Sequence, residues 1–375
     1  MKKTMLIGIS ALVLAFTSVV KADISISGYQ EFFAGSADQS VYDANSGVPT
    51  PNLAGMSNGN FSRLNANYST TLDSGIDVAG SYTVNARDCQ GNRDAICGIV
   101  NFNSLALSGS FGTIGVGEKF DVGAGMLSRM TASGPVAEPD GGMIGHFYTG
   151  GAAATYNFGT ANEFNYADNS VKITYNSNVY SGFSFAAGYT PNSATEGATV
   201  DGAGVTIKNS KYPSFSDIVS TYFKYETEMD GVTFQATYGM QTGNAGRVGA
   251  VDYNDYEETA YSARIDYANF AMDYRKNEQG DSGQIKNNNA GNDEGTSICG
   301  QYTMANIGLG ACQLETNFTD TSNNDNNAQT RTYSAEYSLG GGMKLGLVYF
   351  DVEQTANGVT VTDADGIVSK LSVGF

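Results

Sequence analysis

Polar and apolar residues alternate along most of the chain. In the segment 63–72, the even positions are Leu64, Ala66, Tyr68, Thr70 and Leu72, and the odd positions are Arg63, Asn65, Asn67, Ser69 and Thr71. Side chains two residues apart on a β-strand share one face. One face of this strand therefore suits an apolar environment and the other suits water.

Sixteen such segments are predicted, and tight turns alternate with longer polar connections between them. Strands are expected near residues 24–34, 60–72, 76–87, 99–109, 113–120, 169–177, 183–190, 217–228, 232–240, 257–268, 270–277, 295–304, 307–316, 330–339, 343–352 and 366–375. Turns such as 229–231 and 305–306 alternate with polar segments such as 35–59 and 191–216. Short turns on one side and long loops on the other are typical of outer-membrane barrels. The pattern predicts an all-β chain that forms a 16-stranded antiparallel transmembrane β-barrel.

The first 22 residues have the organisation of a secretory signal peptide. Lys2 and Lys3 precede an apolar run from Met5 to Phe16, and a small residue, Ala22, ends the segment. This is the order of regions in such a peptide, and the run is shorter than the roughly 20 residues that a membrane-spanning helix needs. We expect a signal peptide over residues 1–22 and one barrel domain over residues 23–375, exported through the periplasm to the outer membrane.

The composition agrees with many short strands, and the chain is acidic. It contains 47 glycines, 23 tyrosines, 6 prolines and no tryptophan, as expected for strands joined by glycine-rich turns. The whole chain has 38 acidic and 20 basic residues, and removal of Lys2, Lys3 and Lys21 changes its net charge from −18 to −21. This acidity argues against nucleic acid as a partner. It fits an ordinary solvated surface, or a negative field at a pore mouth that attracts cations.

Four cysteines in an exported chain predict two disulfides. Three pairings of Cys89, Cys97, Cys299 and Cys312 are possible, and the local one, 89 with 97 and 299 with 312, is favoured because both loops are short. A hairpin with Ala305 and Asn306 at its turn would place the last two cysteines directly opposite each other. The chain has one histidine and no Cys-x-x-Cys motif, so we expect no zinc site or other metal site. No cofactor is expected.

Two other classes compete with a transport barrel. A soluble β-sandwich or propeller would also alternate, but it would not explain the regular succession of short and long connections. An outer-membrane enzyme would need a nucleophile beside a general base. The single histidine, His146, lies in a glycine-rich segment without a strand-fixed partner, so we expect no enzymatic activity.

Several segments carry a resemblance to one family. They are Phe61-Ser62-Arg63-Leu64, Phe111 to Lys119, Ala167 to Tyr175, and the alternating strand that finishes at Phe375. In this order, and with the predicted sixteen strands, the chain resembles the general porins of Gram-negative outer membranes over essentially the whole mature length. In such a porin, the alternating strand with Leu371, Val373 and Phe375 on one face is the signal for the outer-membrane assembly machinery.

The resemblance also implies a homotrimer and a narrowed pore. Porins of this kind fold their third loop into the barrel, and the corresponding segment here is approximately 121–165, the longest strand-free stretch. Loops of this length in compact proteins usually serve a function. Lipopolysaccharide and outer-membrane lipid are the expected surroundings, and the loop between Cys89 and Cys97 is expected to reach toward a neighbouring subunit.

A porin constriction sets acids on the loop against bases on the wall. Alternation puts Arg63, Arg87 and Lys119 on the inward face, and the candidate acids are Glu118, Asp121, Glu138 and Asp140. Arg63 and Lys119 also match positions where the family carries basic wall residues. Met143, Phe147 and Tyr148 could instead make part of the aperture apolar.

The sequence thus predicts an outer-membrane porin for passive diffusion of small hydrophilic solutes and ions, with a mild cation preference. One alternative is a substrate-selective channel of the same architecture. The other is a structural or adhesive surface barrel whose lumen is plugged.

Overall fold

The computed structural model describes residues 23–41, 55–87, 98–119, 121–127, 144, 147, 170–193, 200–201, 204–205, 215–245, 251–286, 293–319 and 325–375. The predicted signal peptide and the side chains of Cys89, Cys97, Glu138, Asp140 and His146 lie outside this set. Among the described residues, no helix has the length and apolar character needed to cross a membrane.

The described elements are almost all strands. They are β1 (Asp23–Val41), β2 (Gly55–Thr71), β3 (Asp77–Arg87), β4 (Gly98–Gly109), β5 (Gly112–Lys119), the short helix α1 (Val122–Met126), β6 (Ser170–Asn176), β7 (Phe183–Asn192), β8 (Val200–Asp201), β9 (Gly204–Val205), β10 (Phe215–Met229), β11 (Val232–Ala245), β12 (Tyr256–Tyr267), β13 (Phe270–Gly280), β14 (Asp293–Met304), β15 (Ile307–Thr319), β16 (Asp325–Gly340), β17 (Met343–Ala356) and β18 (Val359–Gly374).

Sixteen of these strands form one closed antiparallel barrel. Going round the wall, the order is β1, β18, β17, β16, β15, β14, β13, β12, β11, β10, β7, β6, β5, β4, β3 and β2. The remaining pair, β8 and β9, forms a separate two-stranded hairpin in the connection between β7 and β10. The predicted fold class and strand number are confirmed.

The barrel closes where β1 pairs with β18. The register runs from Tyr29 opposite Gly374 to Val41 opposite Thr362. The backbone groups of Gly28 and Phe375 add a reciprocal pair of hydrogen bonds, each 2.9 Å long. Closure gives every barrel strand two neighbours, which removes the free edges that a spanning sheet cannot leave in lipid.

The two faces of the wall differ as the alternation predicts. On β11, Phe234, Tyr238 and Met240 point outward and are exposed, whereas Thr237 and Gln241 point inward and are buried. The outward side chains of the other strands are also largely aromatic or aliphatic near the tight turns. This apolar outer surface suits the hydrocarbon of a bilayer.

Several strands extend further than predicted at the end of the barrel away from the tight turns. The sequence predicts a polar connection between strands at 343–352 and 366–375, but β17 continues to Ala356 and β18 begins at Val359. Asn357 and Gly358 form the turn with φ values of 49° and 73°, the left-handed backbone that two-residue hairpins require. The prediction of a long connection here is wrong because exposed positions of these strand ends are charged, at Glu353, Asp363 and Asp365, and do not show the apolar outer face of the other strands.

Candidate pore constriction

The described start of the third loop contacts the inward face of the wall. This loop connects β5 to β6, and its residues Val122, Met126 and Leu127 form a buried hydrophobic cluster with Ala186 of β7, Tyr222 of β10 and Ala260 of β12. The Thr237 hydroxyl of β11 donates a 2.8 Å hydrogen bond to the Met126 carbonyl oxygen. Helix α1 is therefore held by both apolar and polar contacts.

Asp121 is the polar centre of this attachment. It caps α1 by accepting a 3.0 Å hydrogen bond from the Gly123 backbone N–H. Its carboxylate also accepts hydrogen bonds from the Ser220 hydroxyl at 2.9 Å and from Gln241 Nε2 at 2.7 Å. Burial raises the pKa of Asp121, while the hydrogen bonds from Gly123 and Ser220 and the charge of Lys172 act in the opposite direction.

The hydrogen bonds continue from Asp121 into the wall. Gln241 Oε1 accepts a 2.8 Å hydrogen bond from the Tyr256 hydroxyl, which also contacts a carboxyl oxygen of Glu258. The Glu258 carboxyl accepts hydrogen bonds from Asn277 Nδ2 at 3.0 Å and Gln279 Nε2 at 3.2 Å. A buried polar network thus connects the third loop to β11, β12 and β13.

A second described part of the third loop lies against another region of the wall. Ile144 and Phe147 share a hydrophobic cluster with inward-facing residues of β1, β17 and β18: Phe33, Ala37, Val348, Phe350, Val352 and Val368. In the closed strand order, β18 is eight positions from β10 in a ring of sixteen. The two described contact regions of the loop are therefore on opposite sides of the barrel.

Among the predicted constriction residues, Arg63 and Asp121 have described side chains on the inner surface. Arg63 alternates with exposed Leu64 and lies with its guanidinium carbon 5.7 Å from the centroid of the Tyr29 ring. Arg63 is on β2, whereas Asp121 contacts β10 and β11. The described geometry does not bring these two residues into contact.

The other candidates are less fully described. Glu118 is buried, but it alternates with exposed Ile114 and Val116 and pairs with exposed Val171, which puts it on the outward face. The side chains of Arg87 and Lys119 are outside the described set, and so are Glu138 and Asp140. The roles of Arg87, Lys119, Glu138 and Asp140 in a constriction stay predictions.

Two inward-facing bases near the loop attachment were not selected from the sequence. Lys172 of β6 is buried and donates a 2.6 Å hydrogen bond to the Ser170 carbonyl oxygen. Arg275 of β13 is also buried, and its Nε donates to Asn277 Oδ1 at 3.2 Å. Alternation places both on the inner face, but it places many other polar residues there as well. The missing information is that Lys172 is buried near Asp121 and Arg275 is buried near Glu258.

Several other inward-facing bases form ion pairs with acids. Their shortest distances are 3.2 Å for Lys224 with Glu226, 2.6 Å for Arg264 with Asp266, 2.9 Å for Lys344 with Glu336, and 2.8 Å for Lys370 with Glu31. Each pair reduces the positive field that the base would project into the lumen.

Cys299 and Cys312 form a disulfide across β14 and β15. They are direct partners in the register, and their Cα atoms are 4.1 Å apart. The predicted hairpin register and this disulfide are confirmed. The described residues contain no group of three or more His, Cys, Asp or Glu side chains suited to hold a metal ion.

Comparison with known proteins agrees with this architecture. Residues 8–357 match the family described as Gram-negative porin. The chain belongs to the Gram-negative porin family. This porin is therefore an outer-membrane channel protein. No curated protein sequence matches it.

Solved structures of outer-membrane proteins share the fold of this porin at low sequence identity. An anion-selective porin from Comamonas acidovorans has 13% identity and a TM-score of 0.60, covering 95% of this chain and 100% of the other. In-vitro folded OmpT, an outer membrane protein of Vibrio cholerae, has 14% identity and a TM-score of 0.52, covering 94% and 98%. A mutant of the Rh. blastica porin has 16% identity and a TM-score of 0.51, covering 94% and 100%.

Proposed function

We propose that this porin forms a water-filled channel for passive diffusion of small hydrophilic solutes and ions, and that its third loop narrows the channel. The observation that carries the proposal is the attachment of this loop to opposite sides of the inner wall. Asp121 and α1 contact β7 and β10 to β12, while Ile144 and Phe147 contact β1, β17 and β18.

Chain length is sufficient for the loop to cross the lumen between these two sites. A chain extends by at most about 3.3–3.6 Å per residue, so the stretch from Leu127 to Ile144 can reach roughly 60 Å. Strands separated by about 4.8 Å and tilted by about 40° give a 16-stranded barrel a diameter of roughly 30 Å. The loop can therefore cross with slack, which leaves room for a solute path beside it.

We also propose that the channel prefers cations mildly. The chain has 38 acidic and 20 basic residues, and the ion pairs of Lys224, Arg264, Lys344 and Lys370 compensate much of the described positive charge on the inner wall. One structurally similar porin is described as anion-selective. The fold itself therefore does not fix the sign of the selectivity, which depends on side chains.

Planar-bilayer recording tests the channel and its selectivity together. We expect stepwise ohmic conductance, and a reversal potential in a salt gradient with the sign that indicates cation permeation. No conductance from folded protein would refute the channel and favour a plugged surface barrel. A reversal potential at zero, or of the opposite sign, would refute the cation preference alone.

Liposome swelling tests whether diffusion is general. Neutral sugars, amino acids and small anions of graded size should enter at rates that fall smoothly with size, because a water-filled aperture discriminates mainly by dimension. Saturable entry of a single solute class would instead indicate a substrate-selective channel.

A further inference from the structure

The hydrogen bonds that connect Asp121 to Glu258 through Gln241 and Tyr256 restrict which atoms carry the hydrogens. Asp121 accepts from Gln241 Nε2, which leaves the oxygen of the same amide facing the Tyr256 hydroxyl at 2.8 Å. An amide oxygen can only accept, so Tyr256 must donate its hydrogen to Gln241. A phenol has one hydrogen, and the Tyr256 oxygen also contacts a carboxyl oxygen of Glu258.

The contact between the Tyr256 oxygen and the Glu258 carboxyl oxygen is therefore a hydrogen bond only when Glu258 carries the hydrogen. When Glu258 is protonated, its O–H donates to Tyr256, Tyr256 donates to Gln241, and Gln241 donates to Asp121, so that every contact is a hydrogen bond. When Glu258 is ionised, it draws the phenol hydrogen toward itself, and Gln241 Oε1 loses the hydrogen bond from Tyr256. The contact of Gln241 Nε2 with Asp121 then lacks the support that Tyr256 gives to the amide.

We propose that Glu258 and Tyr256 are positioning residues for the third loop, and that the proton on Glu258 sets how firmly the loop is held. This inference deepens the proposed narrowing of the channel by that loop. Protonation completes the chain of donors and strengthens the attachment of Asp121, whereas ionisation weakens it.

Charged and titratable groups around Glu258 act on its proton from several directions. Arg275 on β13 places a positive charge near Glu258, and Lys172 on β6 places one near Asp121. Asp121 on the third loop adds a second carboxyl group, and Tyr222 on β10 faces both acids. The Gln241 side chain from β11 is neutral and does not titrate. The response to pH therefore depends on Glu258 and on Arg275, Lys172, Asp121, Tyr222 and Tyr256 around it.

A spin label on α1 reports the attachment directly. Ala124 is exposed on this helix, so Ala124→Cys carries a label without entering the buried cluster, and protein without this substitution gives the background. We expect label mobility to increase as pH rises through about pH 6–10, a range that includes the titration of buried carboxyls. The released fraction should rise about five- to tenfold, as expected for loss of one hydrogen bond.

Three variants separate the proposed mechanism from a general effect of pH. Glu258→Gln provides an N–H donor toward Tyr256 that does not titrate, provided that the Gln279 amide turns its oxygen toward this donor, and should hold the label immobile across the range. Tyr256→Phe interrupts the relay in both protonation states and should give high mobility across the range. Glu257→Gln changes the adjacent exposed residue of β12, and should titrate like the parent protein.

A pH response that survives in folded Glu258→Gln would overturn the proposal, and so would a parent protein whose label mobility does not change with pH. If Glu258→Gln fails to fold, a pH response retained in Tyr256→Phe overturns the proposal equally. The measurement does not use conductance. A barrel that conducts no ions but shows the expected label response would contradict the proposed function without contradicting this inference.

Discussion

Asp121 combines burial, negative charge and three hydrogen-bond donors at one position. An unpaired buried carboxylate is costly, and its cost falls only when donors surround it. Gly123, Ser220 and Gln241 provide these donors. Removal of the side chain would leave buried donors without their acceptor, which makes Asp121 a sensitive position in the third loop.

Asp121→Ala should loosen the loop. We expect the attachment to weaken by about 1–3 kcal/mol, the cost of leaving buried donors unsatisfied, and single-channel records to show larger and more variable current. Asp73→Ala is a suitable control, because Asp73 is exposed at the tight turn between β2 and β3. Identical current and noise in the two variants would argue against a role of Asp121 in holding the loop.

Part of this site could be predicted from the sequence. Two-residue alternation puts Arg63 on the inner face, and the resemblance to porins indicates the loop that contains Asp121. Alternation does not distinguish Gln241 or Glu258 from other polar residues on the same face. What distinguishes them is the proximity of β11, β12 and α1, which depends on barrel closure and leaves no local pattern in the sequence.

The pairing of β1 with β18 depends on close approach at a glycine. A Cβ atom on Gly28 would lie 2.4 Å from the backbone oxygen of Arg63 and 2.8 Å from the ring of Phe375. Both distances are shorter than a nonbonded contact allows, so a side chain here must displace the backbone of β2.

Gly28→Ala should therefore impair closure of the barrel. We expect destabilisation by about 1–3 kcal/mol from overpacking and a smaller folded fraction, measured by the heat-dependent shift in gel migration that folded barrels show. Gly300→Ala is the matched control, because a Cβ atom at Gly300 on β14 would have no neighbour within 4 Å. Equal folded fractions would show that the junction tolerates the displacement.

The β14–β15 hairpin carries both a continuous register and a covalent bond. Eleven residue pairs connect the strands, from Met304 with Ile307 to Glu294 with Asn317. The double change Cys299→Ser and Cys312→Ser should keep the fold but lower its stability by about 2–3 kcal/mol, measured by denaturant unfolding in detergent. Peptide mapping without reduction should recover Cys299 linked to Cys312, and a different partner would contradict the described register.

The strands are easiest to predict where they lie in lipid, because lipid requires an apolar outer face. Near the tight turns, one face of each strand must be apolar, and the sixteen segments were recognisable for that reason. At the opposite end, the outward positions of β17 and β18 are polar, with residues such as Glu353 and Asp363 paired across the strands. A strand without an apolar outer face resembles a polar loop in sequence, so the sequence predicts an end of β17 that is too early and a start of β18 that is too late.

At the scale of the whole molecule, charge is distributed unevenly around the described inner wall. Glu258, Asp273, Arg275 and Asp293 lie inward on β12 to β14. By contrast, the described inward positions in the halves of β15 to β18 away from the tight turns carry no charge; they include Thr316, Thr330, Val352, Gln354 and Thr362. An ion passing through the lumen would meet a charged side and a neutral side.

We also propose a homotrimer, as the resemblance to porins implies. Gel filtration with light scattering in detergent should give three times the mass of one chain, after subtraction of the detergent. The trimer should resist mild detergent at room temperature and separate on heating. A folded protein that elutes as a single barrel at all concentrations would contradict this prediction.

The junction of β1 and β18 has a consequence for biosynthesis. The strand that completes the cylinder follows the other fifteen along the chain, so a translation product or protease fragment lacking it retains two open edges. Hydrocarbon cannot satisfy the N–H and C=O groups of such edges. We therefore expect a chain without residues 359–374 to form no closed barrel, so damage confined to this strand should be as disabling as loss of half the barrel.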